Sequence, residues 1–369
     1  MGNEIIYLDN AATTKPFDSV LAAMNKAEAQ GYFNSATPYA GGVSVAKAVL
    51  SASEEVAKII SSAEGEVVWT SGATESNNMV LFGLNYKTGD EIVVSSLDHS
   101  SVIEPARELE GRGVIVKYIK LTKGGGLDLN DLAEKVCEKT RLVVLSFCNG
   151  ETGTKVDLNR AAEIIRAKNP KTHLHLDFVQ GFMKFDFDCE KFSSATISAH
   201  KINGPKGVGA LWIKKGVKIK PLIFGGHQQN LRAGTINNPA IFGFRQAIAE
   251  WAQNDFRAKV SKLHKTLITN LPSGVETNGD NDNPFITSLR FEKLLGATVL
   301  NALSARGIFV GLGSACSSNA KQNRVLSAMG ISAADAKKTI RVSLGAYNTE
   351  AEILNFCEIL SEIIKNYSL

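Results

Sequence analysis

Residues 194–210 read SATISAHKINGPKGVGA, an apolar run that ends in Lys201 and turns at once through glycine and proline. In isolation, Ser-x-His-Lys reads as a strand finishing at a surface lysine. The sequence around it decides between that and a lysine placed for chemistry. Short apolar runs recur at IVVSS (92–96), VIVKYI (114–119), LVVLSF (142–147), LHLD (174–177) and ATIS (195–198). Helical patterns separate several of them, as over 158–168, and Val45, Val49, Val56 and Ile59 recur at helical spacing ahead of VVWT (67–70) and SGATESNN. Continuous apolar strands alternating with helices predict an α/β fold with a mostly parallel sheet covered on both faces. Beyond about residue 245 the pattern changes to long helices, 243–271 and 350–366, which predicts a second, smaller domain.

Ligands of such sheets bind outside the carboxyl ends of the strands. Three chemically different groups fall there: Asp177 closes LHLD, Ser198 to Lys201 close ATIS, and Ser71 to Thr74 follow VVWT. SGATESNN places Gly72 and small hydroxyl residues at the first turn of a helix, where unpaired N–H groups and the dipole favour an anion such as phosphate. The same residues also serve as ordinary helix caps. An ionised Asp177 at the end of an apolar strand needs a cation or donors beside it. A salt bridge would supply them, and so would a protonated pyridine nitrogen, whose aspartate partner is part of pyridoxal phosphate sites. Lys201 would then be the Schiff-base lysine, its amine brought below the ordinary value of about 10.4 to act near neutrality.

The 369 residues, 44% hydrophobic, suffice for one large core or for a large and a small domain. The apolar stretches are too short and interrupted to span a bilayer, and the start MGNEIIYLD lacks the basic and apolar regions of a signal peptide. The expected location is the cytoplasm. Cys137, Cys148, Cys189, Cys316 and Cys357 are scattered and form no C-x-x-C pair, so neither a disulfide framework nor a metal site is expected. A formal charge of +4 is too mild to argue for nucleic acid, and the basic cluster KKGVKIK (214–220) reads as a solvated hairpin.

Together these pieces resemble the cysteine desulfurases, pyridoxal phosphate enzymes of the class V aminotransferase group, and most of all the branch that serves iron–sulfur cluster assembly. The resemblance is carried in order by IYLDNAATT (6–14), TSGATESNN (70–78), DH (98–99), HLDFVQ (175–180), SAHKINGPKGVGAL (198–211), RAGT (232–235), GSACSS (313–318) and IRVSLG (340–345). It implies the pyridoxal phosphate fold type I, aspartate aminotransferase-like. Residues 15–245 would form a large cofactor-binding domain around a mostly parallel seven-stranded sheet, and residues 1–14 and 246–369 a smaller α+β domain with the cysteine loop.

The resemblance also implies roles. Lys201 would hold pyridoxal 5'-phosphate covalently, Asp177 would pair with its ring nitrogen, and Gln180 would contact its phenolic oxygen. Ala73, Thr74, Ser198 and His200 would hold the phosphate, joined by Thr235 from a second subunit, which makes a homodimer the expected assembly. His99 would stack on the ring and take part in proton transfer; apart from the resemblance it reads as a capping or surface histidine. Arg341 would bind the substrate carboxylate, for which a guanidinium fork is suited, with Asn10 beside it. Cys316, among the small residues of VGLGSACSSNA, would take sulfur from L-cysteine as a persulfide, release L-alanine, and pass the sulfur to an acceptor protein. A thiol with an ordinary pKa of about 8.5 needs a base or a positive field to do so at neutral pH.

The chain departs from the family's pattern in three places. FCNGETG has Gly150 where an asparagine is usual, leaving Asn149 or Gln180 to contact the phenolic oxygen. GGHQQNL has Gln228, Gln229 and Asn230 where Glu-Arg-Gly is common, and FNSATPYAGG lacks a nearby histidine. These keep open a sister pyridoxal enzyme, such as a selenocysteine lyase or an aminotransferase, or a cofactor-binding protein that has lost the chemistry. A nicotinamide dehydrogenase is disfavoured because no strand runs into G-x-G-x-x-G.

Overall fold

The computed structural model describes residues 5–313 and 323–367. Its strands are β1 (Ile6–Tyr7), β2 (Gly65–Thr70), β3 (Glu91–Ser95), β4 (Ile115–Ile119), β5 (Thr140–Ser146), β6 (His173–Asp177), β7 (Ser194–Ser198), β8 (Gly209–Lys214), β9 (Val275–Asn278), β10 (Ile286–Phe291), β11 (Ile308–Phe309) and β12 (Thr339–Ser343). Seven of them form one sheet in the order β2-β8-β7-β6-β5-β3-β4, in which only β8 runs antiparallel to its neighbours. The mostly parallel α/β sheet expected from the apolar runs is therefore present. Alternate residues of its strands feed two cores: Val93, Val143 and Leu145 pack on one face, Ile92, Leu142 and Val144 on the other. A sheet buried on both faces is why these strands read as continuous apolar runs.

A three-stranded antiparallel sheet, β12-β10-β9, and the parallel pair β1-β11 lie outside the large sheet. The expected boundary at residue 245 falls inside the helix Asn238–Gln253, which packs against Asp18–Gln30. The segment after β1 crosses to the large sheet: Thr14 N donates to His200 O at 2.9 Å, and Asn203 N donates to Thr14 Oγ1 at 2.7 Å.

Three local expectations are corrected. In the helix Ala40–Ile60 the buried stripe is Val45, Val49, Ala52, Val56 and Ile60, and Ile59 is 41% exposed, because one residue off the stripe turns about 100° away from it. The stretch 243–271 is two helices, Asn238–Gln253 and Phe256–Thr269, with Asp255 capping the second by accepting from Ala258 N at 3.0 Å. KKGVKIK is no hairpin: β8 ends at Lys214, and the following residues tie back through Lys215 N to Glu64 O and Lys220 N to Gly83 O.

Candidate active site

The parallel strands bring their carboxyl ends to one edge. There β6 delivers Asp177, β7 delivers Ser198 and then Lys201, β3 leads to Asp98 and His99, and β5 leads to Asn149 and Gly150. The helix Ala73–Gly83 starts at the same edge. Gly209 lies so close to it that a Cβ there would sit 2.8 Å from Gly72 Cα, and Gly72 has φ of 155°, which favours glycine. The helix N-terminus is thus seated against the start of β8, where Gly209 pairs with Ser198 at the end of β7, with Ala73 and Thr74 in its first turn. Glu75 is pinned by Arg232 at 2.9 Å and by Ser71 N at 2.7 Å, and the Arg232 and Ser71 hydrogen bonds hold its carboxyl below the ordinary range despite burial.

Lys201 Nζ donates to Ala11 O at 2.6 Å and Ala12 O at 2.8 Å. Burial, reinforced by the Lys184 and Arg341 charges, brings its amine down to about 7, against the pull of Asp177 and Asp9. Asp177 is buried; its Oδ1 accepts from Val179 N at 3.1 Å and its Oδ2 from Asn77 Nδ2 at 2.9 Å. Next to Lys201, His200 shares a 3.1 Å hydrogen bond with Thr13 Oγ1. Burial, then the Lys201 charge, takes its imidazole down to about 4, so it is neutral.

His99 is the N-cap of the helix Ser100–Gly111, its Nδ1 accepting from Ser101 N at 3.1 Å. The capping role read from the sequence is therefore real, and it leaves Nε2 outside the cap. Arg341, on β12, donates to Gly150 O at 2.7 Å and to Asp9 Oδ1 at 2.6 Å, while its buried Nε has no partner among the described residues. Asn10 is turned elsewhere: its Nδ2 donates to Ser343 O at 2.9 Å and Asn348 Oδ1 at 3.1 Å, tying the N-terminal segment to β12 rather than facing Arg341's fork.

The Gly150 departure is resolved by its neighbours. Asn149 is committed to the turn, its Nδ2 donating to Leu97 O and its Oδ1 accepting from Glu151 N and Thr152 N. A Cβ on Gly150 would meet Gln180 Nε2 at 3.6 Å, an ordinary contact, and that nitrogen donates to Ala11 O at 3.0 Å, the carbonyl that also accepts from Lys201. Gln228 departs for another reason: its side-chain amide pairs with both backbone groups of Trp69, at 2.7 and 3.0 Å, covering part of the outer edge of β2. Gln228, Gln229 and Asn230 all have positive φ, and Asn stands at 230 as the larger residue that best tolerates that region.

Sequence reasoning missed Lys184. It is buried, with Nζ donating to Gln180 Oε1 at 3.0 Å and lying 5.6 Å from the Phe285 ring, and burial lowers its amine to about 8. A lone lysine inside FVQGFMKFDF was the available signal. Because a neighbouring cation depresses an amine, removing this one by Lys184→Met raises the Lys201 amine. Each unit of rise lowers its reactive neutral fraction at pH 7 roughly tenfold. Apo protein carrying this substitution is expected to capture pyridoxal phosphate several-fold more slowly than wild type at pH 7 and at a similar rate at pH 9, followed by the visible absorbance. An equal deficit at both pH values would contradict the electrostatic account.

Cys316 and Ser314–Ser318 of GSACSS lie outside the described residues. The residues bracketing them are anchored at the site: Asn323 Nδ2 donates to Glu151 Oε2 at 2.9 Å, Arg324 donates to the carbonyls of Ser96 and Asp98, and Gly311 pairs with Arg341. Thr235 is exposed beside Leu222, Ile223 and Phe224, the last 79% exposed, and Ala233 N donates to Ile223 O at 3.1 Å. Among the described residues no cluster of side chains could hold a metal ion.

The residues fit pyridoxal phosphate on grounds of their own. A depressed amine, a buried carboxylate with an acceptor role and a helix N-terminus held close by Gly209 stand on one edge, and Arg341 reaches Gly150 at that edge from β12 with a buried Nε that has no partner among the described residues.

Comparison with known proteins agrees. Residues 6–356 match the family described as Aminotransferase class-V. "Cysteine desulfurase IscS 1" of Archaeoglobus fulgidus is 35% identical, covering 97% of each chain. A solved "NifS-like protein" is 33% identical with a TM-score of 0.90, covering 98% of this chain and all of that one. A structure titled "SspA in complex with cysteine" is 28% identical with a TM-score of 0.82, covering 93% of this chain and all of that one.

Proposed function

This chain belongs to the class-V aminotransferase family and is a pyridoxal-phosphate-dependent cysteine desulfurase, and from that premise we propose which of its residues do the work. When bound, pyridoxal phosphate supplies an electron sink that weakens bonds at the carbon carrying the amino group. Lys201 is the covalent anchor, and the observation that carries this is its depressed amine at the end of β7, held on the Ala11 and Ala12 carbonyls beside Asp177. An amine at about 7 is half neutral at physiological pH, able both to attack an aldehyde and to move a proton. Asp177 would pair with the ring nitrogen, Gln180 would contact the phenolic oxygen with the second N–H of the amide that donates to Ala11 O, and the N–H groups of Ala73 and Thr74 with Ser198 and His200 would hold the phosphate. Neutral His200 can donate there without adding charge.

Arg341 binds the carboxylate of L-cysteine, exchanging Asp9 for the substrate and offering the Nε that has no partner among the described residues. His99 presents Nε2, the ring nitrogen left outside the helix cap, to the substrate thiol. Cys316 attacks the substrate sulfur as a thiolate: an S–S bond forms, the substrate C–S bond breaks, and the carbon skeleton leaves as L-alanine after protonation. The anchoring of Gly311, Asn323 and Arg324 beside Arg341, Glu151 and the His99 loop supports a meeting of Cys316 with a substrate held there. The reading extends to a homodimer in which Thr235 reaches the partner's phosphate, supported by the apolar Leu222–Phe224 patch beside it. It also extends to transfer of the sulfur to an acceptor protein in the cytoplasm, supported by free thiols at all four described cysteines.

The test is the mass of the Cys316 peptide after exposure of loaded protein to L-cysteine without reductant. One added sulfur atom at Cys316, removed by dithiothreitol, is expected; sulfur on any other cysteine, or none, would refute the assignment.

A further inference from the structure

Asn77 is fully buried on the helix Ala73–Gly83, and both N–H groups of its amide nitrogen are used. Its Nδ2 donates to Asp177 Oδ2 at 2.9 Å and to Ser101 Oγ at 2.9 Å, and its Oδ1 lies 3.0 Å from His175 Nε2. Ser101 Oγ is in turn 2.9 Å from His99 Nδ1. Behind His175, Nδ1 is 2.8 Å from Ser194 Oγ, which is 2.7 Å from His173 Nε2.

One arrangement of protons satisfies all of these contacts, with Thr196 Oγ1, 3.3 Å from His175 Nε2, as a second acceptor there. A carboxylate only accepts, so Asn77 must turn its NH2 to Asp177 and its oxygen to His175, which must then carry its proton on Nε2. Burial takes both His173 and His175 down to about 3, so each is neutral with one N–H to give. His175 Nδ1 therefore accepts from Ser194 O–H, whose oxygen accepts from His173 Nε2–H. On the other branch, Ser101 Oγ accepts from Asn77 and must spend its own proton on His99 Nδ1. The Ser101 backbone N–H points at the same atom, so Nδ1 faces two donors and the ring proton of His99 sits on Nε2. Each donor in this relay, from His173 through Ser194 and His175 to Asn77, leads one step nearer Asp177. The other buried carboxylate nearby, Asp98, has separate donors in Ser95 N and Ser146 Oγ, and burial, with the Asp177 charge adding to it, pushes its carboxyl to about 7.

We infer that Asn77 is a positioning residue that joins Asp177 and His99 into one hydrogen-bonded unit, holding the Asp177 carboxylate as the acceptor for a ring N–H and fixing the His99 tautomer with its proton on Nε2. The inference rests on the reading that Asp177 and His99 face pyridoxal phosphate. It makes Nε2 of His99 a hydrogen-bond donor toward whatever is bound beside it.

The test uses the dimeric or monomeric full chain loaded with pyridoxal phosphate labelled with 15N at the pyridine nitrogen, and with 15N-histidine; His99→Gln identifies the His99 signals. In the wild type, the 15N shifts are expected to show a protonated ring nitrogen and a His99 proton on Nε2. In Asn77→Ala the ring nitrogen loses its proton in a large fraction of molecules and pyridoxal phosphate binds at least tenfold more weakly. Ser101→Ala leaves the ring nitrogen protonated and lets His99 populate both tautomers. A purely structural role for Asn77 would lower stability without moving the ring-nitrogen shift. A His99 proton on Nδ1 in the wild type, or a protonated ring nitrogen with unchanged affinity in Asn77→Ala, overturns the inference. The wild-type tautomer decides even if Asn77→Ala does not fold. Failure of the wild type to bind pyridoxal phosphate at all would instead overturn the functional reading on which the inference stands.

Discussion

Lys201→Ala loses the visible absorbance of the loaded protein and releases sulfide from L-cysteine more slowly by a factor on the order of 10³ or more, the scale on which a positioned base or covalent nucleophile acts. The chain should still fold. The segment carrying Ala11 and Ala12 is held independently by Thr14 to His200 and Asn203 and by the Ser343 hydroxyl on Ala11 N, so losing the two Nζ hydrogen bonds does not release it. Lys201→Arg separates charge from chemistry. A guanidinium keeps a cation on the carbonyls but stays protonated and cannot form the covalent link, so it should be as inactive as alanine. Spectrum and sulfide release read on the same preparations check this; a Lys201→Arg protein with wild-type absorbance would contradict the anchor assignment.

Cys316→Ala has a different signature. The absorbance of the loaded protein and its change on adding L-cysteine persist, because Lys201, Asp177 and Arg341 are untouched, while sulfide and alanine fall by a factor on the order of 10² or more with the nucleophile gone. No other described cysteine is placed to substitute. Burial pushes the Cys148 thiol up to about 12 and the Cys357 thiol to about 11, and it raises Cys189 further still. Cys137 lies ahead of β5, at the edge away from the site, with its Sγ 3.1 Å from Glu91 Oε2. Parallel assays of product and spectrum distinguish this outcome from loss of cofactor. Sulfide release near the wild-type rate would mean that a group other than Cys316 accepts the sulfur.

Much of the architecture was legible because burial on both faces removes polar residues from parallel strands: LVVLSF, LHLD and ATIS became β5, β6 and β7 almost to the residue. Their carboxyl ends then located Asp177 and Lys201, since topology alone brings those ends to one edge. What periodicity could not give was where polarity interrupts an element. Asp255 reads as one more helical residue until its side chain is seen capping Ala258, and Gln228 reads as a loop residue until it pairs with Trp69.

The site was legible where residue type announces chemistry and illegible where it depends on what a side chain has already been given to do. Asn10 and Asn149 sit in motifs at the right positions, yet their amides are committed to Ser343, Asn348 and the Asn149–Thr152 turn. Asn77 and Lys184 are the converse: a residue of a helix and a lysine in an aromatic run, which matter because burial leaves them only the partners the site provides. The HLHLD run held a readable clue, since His173, His175 and Asp177 alternate onto one face of β6.

The most direct measurement is of alanine and sulfide together, from L-cysteine and dithiothreitol, with the pyridoxal-phosphate-loaded protein. Continuous release of both products in equal amounts, dependent on the cofactor, is the predicted result; pyruvate in place of alanine, or binding of cysteine with neither product formed, would contradict it.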